Sequence, residues 1–170
     1  MVAAWVDDDL DLDDAARRGL VAEGWSQAAV AGYSLVVTLM EIRQLLVTRI
    51  DALLRPHGLS FASYEILMHL RLSTEPGIPV SVVGNALQVH PTSISNCLGQ
   101  LIPAGFVTTR RPPNDRRVVL CVITPDGRAK VDRVTTLLNA DIFERLGLSD
   151  EQFGDLFGVL RRYRANAGDF

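Results

Sequence analysis

The 170-residue chain has only two cysteines and one lysine, and it contains no run of 18 consecutive apolar residues. Cys97 and Cys121 lie far apart in the sequence, which argues against a disulfide framework and favours a cytoplasmic protein with ordinary thiols. Residues 1–5 lack the basic region of a signal peptide, and an acidic stretch follows them. Without a long apolar run, we expect no membrane-spanning segment and no membrane partner.

The sequence motifs of common enzyme classes are also absent. The chain has no Gly-x-Ser-x-Gly, His-Glu-x-x-His, Gly-x-Gly-x-x-Gly or Walker pattern. His57 and His69 have no carboxylate or cysteine at ligand spacing, so we expect no metal ion. We therefore expect a protein that is not an enzyme and that uses no cofactor.

The net charge of −3 conceals an uneven distribution of charge along the chain. Residues 1–25 carry seven acidic residues and two arginines, so the remaining residues, 26–170, sum to +2. Residues 88–120 carry four arginines and one aspartate, a local sum of +3. Because phosphates respond to a local patch, the total charge does not exclude a nucleic-acid binder.

Hydrophobic periodicity and capping residues predict a mainly α-helical chain. The proline-free stretch 27–55 predicts a helix about 40 Å long that is apolar on more than one side. In a chain this small, a partner subunit is the expected second cover for such a helix. The acidic stretch 1–25 is either a partly ordered tail or includes an extra helix over 12–23. Further helices are predicted over 61–73, 80–87, 91–104, 125–145 and 150–165.

The predicted helix over 91–104 has one apolar and one polar face. The apolar residues at helical spacing, which predict a buried stripe, are Ile94, Cys97, Leu98 and Leu101. The opposite face is polar but uncharged, whereas a solvated helix face usually has Glu, Lys or Arg. Short hydrogen-bonding side chains suit a face that lies against the edges of bases. These outward residues are Thr92, Ser93, Ser95, Asn96, Gly99 and Gln100.

Two β-prone segments, 106–111 and 116–123, flank a Pro-Pro-Asn-Asp cluster and predict a hairpin with arginines on both sides of its tip. A short helix, a tight connection, the helix just described and this hairpin follow one another in the order of a winged helix-turn-helix. In that fold the second helix enters the major groove of DNA. The hairpin, or wing, can place a guanidinium group in the neighbouring minor groove.

This part of the chain, about 59–128, resembles the MarR family (multiple-antibiotic-resistance regulators). The resemblance rests on Val-His-Pro-Thr-Ser-Ile-Ser at 89–95, on Leu101 and Ala-Gly-Phe-Val at 104–107, and on the wing pattern Asp-Arg-Arg at 115–117 with Ile-Thr-Pro-Asp-Gly at 123–127. With the flanking helices it extends over about 28–165. It implies an obligate homodimer built from the first and last helices, and repression or activation that a small ligand relieves.

The resemblance assigns Arg117 to the minor groove, with Asp115 as its positioning carboxylate. Many members carry arginine on the second helix where this chain has Pro91 and Asn96. Because arginine usually reads guanine whereas Asn and Gln suit adenine, we expect a half-site read mainly through A·T pairs. Arg110 and Arg111 could equally be charges at the strand edge. The residues expected to form the DNA-binding site are His90, Pro91, Thr92, Ser93, Ser95, Asn96, Gln100, Arg110, Arg111, Asp115, Arg116 and Arg117.

An effector site is expected where such dimers usually have a cleft between their helical and DNA-binding parts. Residue types in that region could line a pocket for an aromatic anion, with Arg43 or Arg71 as the counter-charge. The same side chains would serve equally well as core. The effector-binding residues expected on this basis are Tyr33, Met40, Arg43, Tyr64, Met68 and His69.

The sequence as a whole predicts a mainly α fold with a small β-hairpin wing: a winged helix-turn-helix with long N- and C-terminal dimerisation helices. We expect an acidic extension over 1–25, a helical dimerisation region over 26–58 and 126–170, and a DNA-binding domain over 59–125. The predicted function is a homodimeric repressor that reads a near-palindromic operator in double-stranded DNA and is released by a small aromatic or phenolic ligand. The alternative is a module that uses the winged-helix surface to bind a protein.

Overall fold

A computed structural model describes residues 14–88 and 90–166 of the chain. The chain divides into two compact units, Met1–Phe61 and Ala62–Phe170. The predicted fold class, mainly α with a small β wing, is confirmed. The elements in chain order are α1 (Asp14–Ala22), α2 (Gln27–Leu54), a 3-10 turn (Arg55–His57), α3 (Phe61–Leu72), β1 (Ile78–Pro79), α4 (Val80–Leu87), α5 (Pro91–Leu101), β2 (Val107–Arg110), β3 (Leu120–Ile123), α6 (Pro125–Asp141), a second 3-10 turn (Phe143–Arg145) and α7 (Asp150–Asn166).

The first unit contains α1 and α2, which contact each other. Ser26 caps α2, because its hydroxyl oxygen accepts the N–H of Ala29 at 3.1 Å. Trp25, in the connection between the helices, packs edge-on against Tyr33 with ring centroids 5.7 Å apart. Of the two interpretations of the acidic stretch, the extra helix is confirmed from residue 14 onwards. Its predicted start at residue 12 lies outside the described residues.

Helix α2 leaves most of its apolar side chains exposed. The helical stretch Gln27–His57 is long and apolar enough, by length and composition, to cross a membrane. The prediction that no segment could span a bilayer rested on the lack of 18 consecutive apolar residues. By length and composition it is wrong, because a few separated charges interrupt the apolar runs of α2 without making the helix polar overall. A helix covered by a second subunit meets the same criterion. The exposed apolar residues of α2 include Leu35, Val36, Leu39, Met40, Ile42 and Leu45.

The second unit has a small antiparallel sheet with the strand order β1-β3-β2. The wing strands β2 and β3 pair from Val107 opposite Ile123 to Arg110 opposite Leu120. The third strand, β1, pairs Ile78 with Cys121 and was not predicted. A strand of two residues, one of them a proline, has no detectable alternation of apolar and polar positions.

The core of the second unit consists mainly of aliphatic side chains from its helices and from its three strands. Side chains this deeply buried each contribute about 1.5–3 kcal/mol by leaving water. Because they come from elements that lie far apart in sequence, they hold α5 and the wing in place. Those at most 1% exposed include Ile66, Leu67, Val83, Leu101, Val107, Val131, Val134 and Leu138.

Two helices end earlier than the sequence predicts. Helix α5 ends at Leu101 rather than at residue 104, and the N–H of Phe106 donates to the Leu101 carbonyl at 3.0 Å. Pro103 has no N–H to continue the helix, and Gly105 has the left-handed backbone (φ +76) that helix ends favour. Helix α6 ends at Asp141, and the residues predicted to continue it form a 3-10 turn.

The start of α6 is joined to the start of the wing through the backbone carbonyl of Phe106. This carbonyl accepts the N–H of Thr124 at 3.0 Å, and the Thr124 hydroxyl donates to the neighbouring carbonyl of Gly105 at 2.7 Å. The Thr124 hydroxyl oxygen also accepts the N–H of Gly127 at 2.9 Å, which caps α6. A Cβ atom at Gly127 would overlap the Phe106 carbonyl oxygen and lie 3.0 Å from Ile123 Cγ1. Glycine is therefore required at position 127 by the close approach of two backbone segments.

We expect Gly127→Ala to lower the free energy of unfolding by about 1–3 kcal/mol, because the backbone must move to make room for the methyl group. The matched control is Gly99→Ala in α5, where a Cβ meets no atom within 4 Å. That control should be neutral or stabilising by up to about 1 kcal/mol, since alanine is the better helix former. Urea denaturation at one fixed protein concentration measures both. Equal midpoints for the two variants would contradict the role of Gly127.

Candidate nucleic-acid interface

Helices α4 and α5 follow each other with only residues 88–90 between them. Gln88 ends α4 in the left-handed conformation (φ 51), and its N–H donates to the Asn85 carbonyl at 3.1 Å. Such a residue reverses the chain direction at once, which gives the sharp turn of a helix-turn-helix. The predicted tight connection is therefore present at Gln88 and His90, while residue 89 lies outside the described residues.

The two faces of α5 differ as predicted. Ile94, Leu98 and Leu101 are between 1% and 7% exposed and fix the inner side of the helix. Cys97 was predicted to belong to the same buried stripe, but its side chain is only half-buried. No side chain of the outer face carries a charge, and each is exposed. The exposed residues of this face are Thr92, Ser93, Ser95, Asn96, Gly99 and Gln100.

His90 caps the N-terminus of α5. Its Nδ1 atom accepts the N–H of Thr92 at 3.3 Å and lies 3.1 Å from the Thr92 hydroxyl. An accepting Nδ1 places the ring proton of a neutral imidazole on Nε2. The exposed His90 ring can therefore donate a hydrogen bond from Nε2. It does so at the N-terminus of α5, where the backbone N–H groups also attract anions. Pro91 takes the first helical position, where its missing N–H costs no hydrogen bond.

Asp115 shapes the turn of the wing. Its carboxylate oxygen Oδ1 accepts the backbone N–H of Arg117 at 3.0 Å. Its own N–H donates to the Pro112 carbonyl and its carbonyl accepts the N–H of Val118, both at 3.3 Å. The carboxylate thus contacts the backbone of Arg117, the residue that it was expected to position.

The four wing arginines fall into two pairs. Arg110 donates from Nη2 to the Pro76 carbonyl at 3.1 Å, and Arg111 donates from Nη1 to the Arg116 carbonyl at 2.8 Å. Arg116 and Arg117 are exposed, and within the part of the chain that the structure describes their guanidinium groups have no hydrogen-bond or ion-pair partner. Two cations of the wing are therefore available to an anion.

The six residues expected to bind an effector are divided between the two units. In the first unit, Tyr33 and Met40 are 44% and 60% exposed, and Arg43 is exposed. In the second unit, Tyr64 is buried with its hydroxyl 3.1 Å from that of Thr135, while Met68 and His69 are half-buried. The alternative counter-charge, Arg71, forms an ion pair with Asp132 at 3.1 Å.

The described residues contain no group of three or more His, Cys, Asp or Glu side chains that could hold a metal ion. Elsewhere on the second unit, Lys130 lies 5.2 Å from the ring centroid of Phe106, a cation–π contact.

A short helix, a tight turn, a second helix with an exposed polar face and an arginine-bearing wing define a winged helix-turn-helix protein. The MarR family model matches residues 59–119. The MarR family transcriptional regulator Sco5413 from Streptomyces coelicolor is 36% identical and has a TM-score of 0.73; the match covers 82% of this chain and 96% of that one. The chain therefore belongs to the MarR family of transcriptional regulators, and the resemblance predicted from its motifs is confirmed.

Two further proteins are similar to this chain. A protein of Thauera aromatica described as a putative transcriptional regulatory protein for the hcr operon is 30% identical over 100 residues, which are 56% of this chain and 59% of that protein. The fold is shared with MepR of S. aureus, solved as a MepR–DNA complex, at 17% identity and a TM-score of 0.70. That match covers 77% of this chain and 96% of MepR.

The two thiols should differ in reactivity. Cys121 of β3 is fully buried, and burial raises the pKa of its thiol to about 11. Because only the thiolate reacts, we expect iodoacetamide at pH 8 to alkylate the half-buried Cys97 at least tenfold faster than Cys121 in the folded protein. Peptide mass spectrometry measures both rates, and unfolding in urea should make them equal. Equal rates in the folded chain would contradict the burial of Cys121.

Proposed function

We propose that the chain is a cytoplasmic, homodimeric transcriptional repressor that binds a near-palindromic operator in duplex DNA and is released by a small aromatic ligand. One observation carries the DNA-binding part: the exposed face of α5 is polar and uncharged, and the unpartnered guanidinium groups of Arg116 and Arg117 belong to the adjoining wing. A groove of DNA offers base edges to the first and phosphates to the second.

The outer face of α5 is suited to reading bases in the major groove. Asn96 and Gln100 carry amides that donate and accept a hydrogen bond at once, the pattern that adenine presents. With no arginine on this helix, we propose half-sites recognised mainly at A·T pairs. Hydroxyls can bond to bases or phosphates, and they are supplied by Thr92, Ser93 and Ser95.

The N-terminus of α5 and the wing are suited to phosphates. His90 keeps a donor on Nε2 while its Nδ1 caps the helix. Arg116 and Arg117 follow Asp115, which holds the backbone of the turn. A guanidinium group at this point could enter the minor groove, where a narrow A·T-rich groove has the most negative potential. The preference for A·T pairs and the wing contact therefore support each other.

The apolar surface of α7 supports the dimer. This helix of 17 residues has no buried residue, although it carries a stripe of large apolar side chains. Phe153 and Phe157 stack on each other at 6.4 Å, and Phe157 is 62% exposed. A contiguous apolar stripe of this kind is typical of an interaction surface. A second copy is the cover that we propose, for α7 and for the exposed apolar side chains of α2.

A two-fold dimer supplies two copies of α5 and of the wing. A site with inverted half-sites about 34 Å apart matches that symmetry. Release by a small aromatic anion rests on residue types alone: Tyr33 and Arg43 are exposed in the first unit, and Met68 and His69 are half-buried in the second. A ligand that binds the DNA-free arrangement more tightly would lower operator affinity by population shift.

The dimer is tested by Phe157→Glu. A carboxylate buried without a partner costs about 3 kcal/mol or more, so the dissociation constant of the dimer should rise at least about 100-fold. The matched control is Gln152→Glu, which adds the same charge on another side of α7 and keeps the capping contact with the Ser149 N–H. Sedimentation over a range of concentrations measures both. A dimer unaffected by Phe157→Glu would remove α7 from the interface.

DNA binding is tested on duplexes that the chain itself selects from a random pool. We expect log affinity to fall steeply with log salt, and Arg117→Ala to make that slope shallower by about one unit. Asn96→Ala should leave the slope unchanged but cost about 1–3 kcal/mol at one base position. Arg133→Ala, an exposed arginine of α6, is the control for loss of charge alone. A chain that selects no duplex would favour the alternative, a winged-helix surface that binds a protein.

A further inference from the structure

The loop of the wing is closed by a side chain. The paired strands end at Arg110 opposite Leu120, so no strand pairing orders the residues between them. Arg111, the first residue of this loop, donates from Nη1 to the carbonyl of Arg116 at 2.8 Å. The two backbone hydrogen bonds within the loop are longer, at 3.3 Å, and both involve Asp115. The Arg111 contact is therefore the shortest link between the two sides of the loop.

The acceptor of this bond is the peptide group between Arg116 and Arg117. Fixing its carbonyl limits the orientation of the backbone that carries both unpartnered guanidinium groups. On the other side of the same peptide, the N–H of Arg117 is held by Asp115 at 3.0 Å. One peptide group is thus held through both of its polar atoms, by a guanidinium and by a carboxylate.

We propose that Arg111 is a positioning residue for DNA recognition: it orders the wing loop in the free protein and acts through Arg116 and Arg117 rather than by its own phosphate contact. This inference rests on the proposed function, because positioning matters only if the wing binds DNA. Arg110 differs, since its guanidinium bonds to the Pro76 carbonyl, outside the wing loop. Arg110→Ala therefore removes the same charge and a similar hydrogen bond, and is the matched control.

The first measurement is amide hydrogen exchange of the full chain without DNA. Arg111→Ala should speed exchange of the Asp115, Arg117 and Val118 amides about fivefold to tenfold, the effect of losing one hydrogen bond from a local opening equilibrium. Arg110→Ala should leave these three amides unchanged. Exchange in the core of the second unit should be unaffected in both variants, which separates loop ordering from general unfolding. Unchanged loop exchange in Arg111→Ala would overturn the proposal.

The second measurement is a double-mutant cycle on affinity for a selected duplex. If Arg111 acts through the arginines at the tip, then Arg111→Ala should weaken binding about tenfold in the native background. It should weaken binding less than about twofold in a chain that already has Arg116→Ala and Arg117→Ala. An independent phosphate contact would instead weaken binding equally in both backgrounds. Equal losses would therefore overturn the proposal.

The two measurements separate this inference from the function on which it rests. If the native chain binds no duplex, the proposed function fails and the positioning role fails with it, whatever the exchange rates are. If the native chain binds DNA but the loop exchanges normally in Arg111→Ala, or the cycle is additive, only the inference about Arg111 fails. Faster loop exchange together with a non-additive cycle is the result that we expect.

Discussion

The backbone contact at Phe106 is the one on which the geometry of the second unit depends. The Phe106 carbonyl accepts the N–H of Thr124, and the Phe106 N–H donates to the Leu101 carbonyl at the end of α5. Because Phe106 leads into β2 and Thr124 leads from β3 into α6, the backbone of Phe106 connects α5, both wing strands and α6. The glycine at position 127 allows this approach, since any side chain there would meet the carbonyl oxygen.

The wing illustrates that the number of arginines does not equal the number of free cations. The four wing arginines cannot be told apart in the sequence. In the structure, Arg110 and Arg111 donate hydrogen bonds from their guanidinium groups to backbone carbonyls of the protein itself. Within the described residues, the guanidinium groups of Arg116 and Arg117 have no hydrogen-bond or ion-pair partner. A loop with few backbone hydrogen bonds needs side chains to order it, and guanidinium groups supply both the order and the charge.

Local patterns in the sequence were enough to predict most of the helices and the wing. The polar face of α5, its buried stripe at Ile94, Leu98 and Leu101, and the cap at Thr124 all depend on residues a few positions apart. The same reasoning missed β1, whose two residues have no pattern of their own and exist as a strand because Cys121 and Leu120 lie beside them. It also extended α5 through Pro103, although the chain turns at Gly105.

The sequence by itself determined the element order, the faces of the helices and membership of the MarR family, because each depends on short-range periodicity or on a motif. Only the tertiary structure decided which wing arginines remain without a partner, that the histidine at position 90 caps α5 through Nδ1, and that Cys97 is half-buried while Cys121 is fully buried. Those properties arise from hydrogen bonds and packing between atoms whose proximity no local pattern specifies. The stripe of α7 lies between the two cases, since its apolar residues are evident in the sequence but their exposure is visible only in the folded chain.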